Sequence, residues 1–519
     1  MHTTSTIDVP PLRDLSRLAA ESNPTGEAFA DGADGRSVTW REFDQRSNRA
    51  ANALREHVGQ GDRVAFVCEA SVDHVTLWNG ALKAGCVVSN LHVRSSPETM
   101  RDCIDRLRPR VVVVDEEFAE FFEERVRGGL STDVDAVITT GEPRADYETS
   151  AAAALADQPA TEPDVRSRED DVVAVLWTSG TTGKPKGWCL SNRAAVLRGV
   201  KLMGALNISR TTRRVQVLSP SFAAWFTGTV PALLTASATC FLRSWDPEEY
   251  LRVVDAREQT MATLVPTMWR EVLDLERFEA YDLSSLERIT AAGERLDATT
   301  LERLREHVCD RVYNAFAATE IMATSISERE MDDGRIGSVG KPAIWTQVRV
   351  IEEGGAPDEE LPPGEVGEVI VKGPDCPVWA WGDTETTEEA FEEGWWYSGD
   401  LGYKDEEGYL FLEGRSDFMI LSKGLKVFPT PIEERLNAHP GVEASAVVGV
   451  DDEEYGEKVV AIVHRSDPDL TAEELDEWCL ESDELARYER PREYHFRDEP
   501  LPRTPTNKLD RDGAHDTIN

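Results

Sequence analysis

The sequence predicts an α/β protein with a large N-terminal domain of layered α/β subdomains, a β-rich subdomain and a small α+β C-terminal domain. Three observations predict it. Short apolar runs alternate with helical patterns over residues 37–315. After Gly334 the strands are separated by Gly, Pro and acidic turns. A segment of about 100 residues, a common domain size, then follows Gly414-Arg415.

Residues 37–53 read as a surface helix and 62–69 as a strand. A helix at 77–84 leads to two apolar runs, 86–89 and 111–114. Residues 141–170, with an alanine run at 151–154, read as a linker. The alternation resumes with a strand at 172–177 and a helix at 194–206, then a strand at 215–218 and a helical stretch at 231–234. Helices at 247–257 and 299–308 alternate with strands at 262–265 and 311–315. Such alternation implies parallel layers. Strands at 347–351, 367–372 and 408–413 make the β-rich subdomain. A helix at 431–437, strands at 444–450 and 458–464, and a helix at 471–487 make the last domain. The boundaries expected are 1–414, a hinge at 415–417 where the composition breaks, and 418–519.

The 519-residue chain carries 97 Asp plus Glu against 56 Lys plus Arg, a net charge of −41. Such a surface repels nucleic-acid backbones and anionic membranes and excludes them as partners. The acidic residues are spread along the chain, and only eleven of the basic residues are lysine. One reading is an ordinary solvated acidic surface. The other is adaptation to molar salt, which screens self-repulsion, and the low lysine content favours it. No stretch approaches the roughly 18 uncharged apolar residues of a membrane span, and residues 1–12 show no secretory signal. The eight cysteines form no Cys-x-x-Cys pair, which argues against zinc or a disulfide framework and suits the cytoplasm. Oligomeric state is not legible.

Residues 178–187 read Thr-Ser-Gly-Thr-Thr-Gly-Lys-Pro-Lys-Gly, directly after the apolar run 172–177. Glycines let successive N–H groups turn inward, and a nest of N–H groups with hydroxyls and an ammonium binds phosphate. The loop is not a Walker loop, because no Gly-Lys-Ser/Thr closes it. Gly/Ser/Thr clusters also occur as plain flexible turns. Further along, Thr319-Glu320 follows a buried strand, where a hydroxyl and a carboxylate can serve phosphate and Mg²⁺. Asp400 follows a glycine in Trp-Tyr-Ser-Gly-Asp and can take a ribose diol, or cap a turn. Lys508 stands in a Pro/Thr-rich loop near the C-terminus.

In this order and spacing the segments resemble the AMP-forming adenylating superfamily, which contains acyl-CoA synthetases, luciferases and peptide-synthetase adenylation domains. The resemblance runs from about Leu15 to Arg511, and the chain looks most like a haloarchaeal acyl-CoA synthetase. It implies that Thr178, Ser179, Gly180, Thr181, Thr182, Gly183 and Lys186 cradle the β- and γ-phosphates of ATP. Gly293 and Glu294 would line the adenine edge, Asn314 would hydrogen-bond the base and Phe316 would stack on it. Thr319 would hold the α-phosphate and Glu320 the Mg²⁺, while Asp400 takes the ribose diol and Arg415 reaches ribose or phosphate. Asp417 matches the hinge residue about which a mobile C-terminal domain swings, and Gly424 the glycine beside the CoA pantetheine tunnel. Lys508 matches the lysine that bridges substrate carboxylate and α-phosphate. The acyl pocket would be lined by Phe222, Ala223, Trp225 and Ala317.

The implied activity is an AMP-forming acid–thiol ligase: ATP adenylates an apolar fatty or aryl acid, and the acyl group passes to CoA. Departures from the family pattern sharpen this. Ala223 stands where amino-acid-activating domains carry an Asp that pairs with the α-amino group, so an α-amino acid is disfavoured. Ala317 stands where acetate-specific relatives carry a Trp that closes the pocket. Phe316 replaces a tyrosine, Phe418 a second Asp after the hinge, and Asn507 a glycine before the lysine. Two alternatives stand beside this reading: an enzyme loading a carrier-protein phosphopantetheine, and a non-catalytic adenylate-binding paralogue, against which Lys508, Glu320 and Asp400 speak.

Overall fold

The computed structural model describes residues 9–33, 35–143, 148–178, 184–294, 296–322, 325–326, 335, 337–452, 454–482, 485–503 and 509–518. The chain divides into two compact units, 1–347 with 371–396, and 348–370 with 397–519. Among the described residues no helix is long and apolar enough to cross a membrane.

Two large sheets dominate the first unit. One runs Trp379–Ala380, Lys186–Ser191, Val172–Thr178, Val87–Asn90, Arg63–Val67, Val111–Val114, Ala136–Thr139, Glu148–Ser150. Its centre is parallel, and its strand Val111–Val114 is all-apolar, as strands covered on both faces are. The other sheet runs from Lys341–Pro342 and Ser325–Ile326 through Val312–Phe316, Arg288–Ala292, Met261–Leu264, Arg213–Gln216 and Ala238–Phe241 to Glu27–Asp31 and Ser37–Thr39. Between Val312–Phe316 and Glu27–Asp31 all its pairings are parallel. The expected layered α/β architecture is therefore present.

Sequence and structure differ at several places. Residues 37–39 form a strand, and the helix Trp40–Leu54 starts only after it, closed by a capping box between Thr39 and Glu42. The predicted 77–84 helix begins at Val72, capped by the Ser71 hydroxyl, which accepts from His74 N. Every residue of this helix except Asp73 is buried, so no amphipathic period marks its start. The stretch 141–170 is not a free linker. Glu148–Ser150 extends the first sheet and Ala151–Ala156 is a helix. Asn48 and Asn52 then donate to the carbonyls of Ala160, Pro159 and Thr161, strapping the following segment against the Trp40–Leu54 helix. The helical stretch expected at 231–234 is the end of a longer helix, Ala223–Thr235, with Pro231 inside it. The last expected helix stops at Leu480.

A third sheet, most of whose residues belong to the second unit, orders Gln347–Ile351, Gly367–Lys372 and Trp395–Lys404, and Leu410–Arg415 pairs with the last. A fourth sheet there orders Leu425–Val427, Ile420–Ser422, Gly456–Arg465 and Val442–Asp452, with Glu493–Arg497 parallel to Gly456–Arg465. The helices Pro429–Asn437 and Ala472–Leu480 supply Ile432, Leu436 and Leu475 to a core completed by Val447, Val459 and Val463.

Candidate functional site

The glycine-rich segment closes a hairpin. Val172–Thr178 pairs antiparallel with Lys186–Ser191, so Thr178 faces Lys186 and Trp177 faces Gly187. A Cβ at Gly187 would come within 3.0 Å of the Trp177 ring, which explains that glycine by close approach. Trp177 is fixed by its Nε1, which donates to Ser89 Oγ at 2.8 Å. Arg106 sits over its ring at 5.1 Å and donates to the Pro185 carbonyl at 2.6 Å, anchoring one end of the loop. The helix Asn192–Ala205 starts only after this strand, with Ser191 as its cap. The segment therefore joins two strands and does not lead directly into a helix N-terminus. Ser179, Gly180, Thr181, Thr182 and Gly183 lie outside the described residues.

The second cluster follows the strand Val312–Phe316. Asn314 is buried, and its Nδ2 donates to the Ser338 carbonyl at 3.1 Å. Phe316, Ala317, Thr319 and Glu320 are half-buried. A backbone bond from Ala318 N to Ile321 O closes the turn that carries Thr319 and Glu320. Beneath it, Arg198 from the helix Asn192–Ala205 donates through Nη2 to the Thr319 and Glu320 carbonyls at 2.9 and 3.2 Å. Sequence reasoning did not single out Arg198. An arginine in a helical pattern looks like part of a solvated face, and only the fold buries it.

Gly293 adopts φ +95°, and a Cβ there would meet Val265 at an ordinary 3.5 Å. Glu294 is already engaged. Its carboxylate accepts from Thr267 Oγ1 at 2.7 Å and from Thr267 N at 3.3 Å. Thr267 lies in the first turn of the helix Pro266–Leu273, where backbone donors lack helical partners. The Glu294 carboxylate thus acts as a cap.

The acyl-pocket candidates gather at the start of the helix Ala223–Thr235, with Phe222 at its N-cap. The Phe222 ring meets His92 edge-on at 5.6 Å. Ala223 is buried, and Ala317 packs on the same core cluster. Trp225 points into that core and has no exposed surface, enclosed by His74 at 4.9 Å, Trp78 at 5.4 Å and Phe241 at 6.3 Å. It backs the pocket segment and does not line an open cavity in this structure. His74 is held neutral by burial, its pKa lowered to about 4 although Asn90 bonds its ring.

In the second unit, Asp400 and Arg415 are direct partners across two antiparallel strands. The Arg415 guanidinium lies 3.7 Å from the Asp400 carboxylate, donates to Ser398 O at 3.2 Å and pairs with Asp417 at 3.0 Å. Gly399 turns with φ +68°, and a Cβ there would stand 2.9 Å from Arg415 Nη2. Lys423 and Gly424, both at positive φ, make the tip of a hairpin, and a Cβ at Gly424 would meet nothing within 4 Å. Arg503 and Leu509 form an antiparallel bridge around residues 504–508, and Arg511 pairs with Glu433 at 2.5 Å. Lys508 itself lies outside the described residues.

The comparisons agree with this frame. Residues 17–376 match the model of the AMP-binding enzyme family, and 431–508 that of the AMP-binding enzyme C-terminal domain. A 3-hydroxybenzoate–CoA ligase of Aromatoleum sp. (strain CIB) is 30% identical over 92% of this chain and 91% of its own. A feruloyl-CoA synthase of Amycolatopsis sp. is 30% identical over 94% and 95%. ATP-bound MatB from Rhodopseudomonas palustris superposes with a TM-score of 0.85 at 26% identity, covering 98% of this chain and 99% of its own. The chain belongs to the AMP-binding enzyme family.

Proposed function

We propose that the protein is an AMP-forming carboxylate–CoA ligase acting on an apolar aryl or fatty acid. The observation that carries this is similarity along nine-tenths of the chain to two aryl-acid CoA ligases. The absence of a carboxylate at Ala223 fits it, since an α-ammonium would find no partner there.

A carboxylate is a poor acyl donor, because its oxygen leaves poorly. In the proposed first step a substrate carboxylate oxygen attacks the α-phosphorus of ATP, the bond to pyrophosphate breaks, and an acyl-adenylate forms. In the second a CoA thiolate attacks the carbonyl and AMP leaves. The chain's task is positioning and charge stabilisation. The 178–187 hairpin receives the β- and γ-phosphates, Thr319 the α-phosphate, Gly293 and Phe316 the adenine, and Asp400 with Arg415 the ribose. Asn314, whose Nδ2 donates to the Ser338 carbonyl, serves the base. Lys508 supplies the charge at the reacting oxygens.

Mg²⁺ fits the donor set. Among the described residues no group of three or more acidic, His or Cys ligands forms a metal cage, and a Mg²⁺ carried by ATP phosphates needs only one or two carboxylates. Glu320 would hold it, and it would supply charge neutralisation at the phosphates.

The division 1–414 and 418–519 about a hinge at 415–417 belongs to the same proposal. One site cannot present both Lys508 and the Gly424 hairpin, so a rotation at Asp417 exchanges them. Cytoplasmic location and adaptation to molar salt are proposed on composition alone; the relatives named above are bacterial. Incubation with ATP and a panel of acids, offering either CoA or a phosphopantetheinylated carrier protein, tests the function. Acyl-CoA as the product supports it, and acylation of the carrier alone replaces it with the carrier-loading reading.

A further inference from the structure

Arg198 and Lys201 stand three residues apart on one face of the helix Asn192–Ala205, and both are fully buried. Burying one cation is costly, and burying two on adjacent turns needs a built set of partners. Lys201 Nζ donates to both Asp375 oxygens, at 2.9 and 3.1 Å, and to the Met322 carbonyl at 2.9 Å. Arg198 Nε donates to the backbone carbonyl of Asp375 at 2.9 Å, while its Nη2 reaches Thr319 and Glu320. Asp375 is as buried as Lys201. Gly373 makes room for it: a Cβ there would come within 2.9 Å of Asp375 Oδ1 and 3.0 Å of Ile321 Cδ1. Burial lowers the pKa of Arg198 and of Lys201, and Asp375 opposes that lowering in each.

These contacts share one target. Three carbonyls of the turn 319–322 are held by charged donors, and charge-assisted bonds are roughly twice as strong as neutral ones. Arg198 grasps Thr319 and Glu320 by their backbone carbonyls. An apolar pair at 201 and 375 would give comparable stability, so stability alone does not account for buried charge here.

We propose that Lys201, Asp375 and Arg198 form a positioning clamp that fixes the Thr319–Glu320 turn for the adenylation step. The proposal rests on the reading of Thr319 and Glu320 as groups that handle ATP. None of the three touches substrate; they act through the turn.

The test replaces the ion pair with an apolar pair, Lys201→Met with Asp375→Leu, which removes one buried cation and one buried carboxylate together and leaves Arg198 on its backbone carbonyls. Thermal unfolding reports the fold. Carboxylate-dependent ATP–pyrophosphate exchange and thioesterification of a supplied acyl-adenylate report the two half-reactions. The double variant is expected to melt within about 5 °C of wild type. Its exchange kcat should fall about 100-fold, the cost of a misplacement near 1 Å. KM for the carboxylate and the thioesterification rate should stay within about threefold, a split that a general loss of structure would not produce. Wild-type exchange in the double variant, with Glu320→Gln inactive, overturns the clamp. Wild-type exchange in both overturns the reading of the turn and the clamp with it. Gly373→Ala serves if the double variant does not fold: a several-fold fall in kcat is expected, and unchanged exchange overturns the clamp.

Discussion

Arg415 joins two carboxylates of different assignment, pairing with Asp417 at 3.0 Å while lying 3.7 Å from Asp400. The proposed ribose residue and the proposed hinge residue therefore share one guanidinium. Asp417 lies in the short turn Ser416–Phe418 directly after the strand that ends at Arg415.

Asp417→Pro fixes φ at the proposed pivot and removes the carboxylate from Arg415. Adenylation should persist within about tenfold, while CoA transfer falls at least 100-fold. Lys508→Ala should do the reverse, losing about 10²–10³ in adenylation, as for one preorganised charge, and sparing thioesterification. Separate assays of the half-reactions decide this, and equal losses in both for either variant would remove the rotation from the account.

Ala317 packs on the core cluster that contains Ala223 and Trp225. Ala317→Trp should fill the space beside Phe316 and lower kcat/KM for aryl and medium-chain acids at least tenfold relative to acetate. Ala317→Gly should change preference by only about 1–3 kcal/mol, the worth of one methyl-sized group. The measurement is kcat/KM across acetate, butyrate, octanoate, palmitate and benzoate. An unchanged order in the Trp variant places the limit elsewhere.

Glu69 is largely enclosed beside Ser219, which bonds its carboxylate, and burial raises its pKa from 4.5 to about 7. Arg94 opposes that rise, and Glu117 and Asp115 add to it. The folded pKa lies above the unfolded one, so the native state keeps a proton that the unfolded chain has lost. The stabilisation is fully present below pH 4.5 and is lost as pH rises through about 7. Glu69→Gln, neutral throughout, should melt about 2–4 °C above wild type at pH 8 and close to it at pH 5. An equal difference at both pH values would show that Glu69 does not titrate in this window.

The net charge of −41 repels itself when unscreened. Near molar salt the Debye length falls to about 3 Å. Activity and melting temperature should both rise from dilute buffer to molar KCl, activity by several-fold. Full activity in dilute buffer would return the acidic surface to an ordinary solvated one.

What the sequence discloses follows from whether a signal is local. The loop at 178–187 is legible because glycine and hydroxyl residues cluster at a strand end, and several of the parallel strands are legible as short apolar runs. The helix Val72–Lys83 is legible only in part, because it is buried on every side. The strand Lys186–Ser191 was not foreseen, since its partner lies across the loop itself. Glu294 reads as a nucleotide-edge residue, yet its carboxylate is claimed by Thr267, 27 positions away. Lys201 and Asp375 are 174 positions apart, and nothing in the spacing of either announces the other.

The proposed reaction activates a carboxylate as its adenylate before any thiol is used. ATP–pyrophosphate exchange with benzoate or octanoate, at molar KCl and without CoA, tests it most directly. Exchange should depend on the acid, and equal amounts of AMP and acyl-CoA should form when CoA is added. Release of ADP and phosphate, or no acid-dependent exchange across the panel, would contradict it.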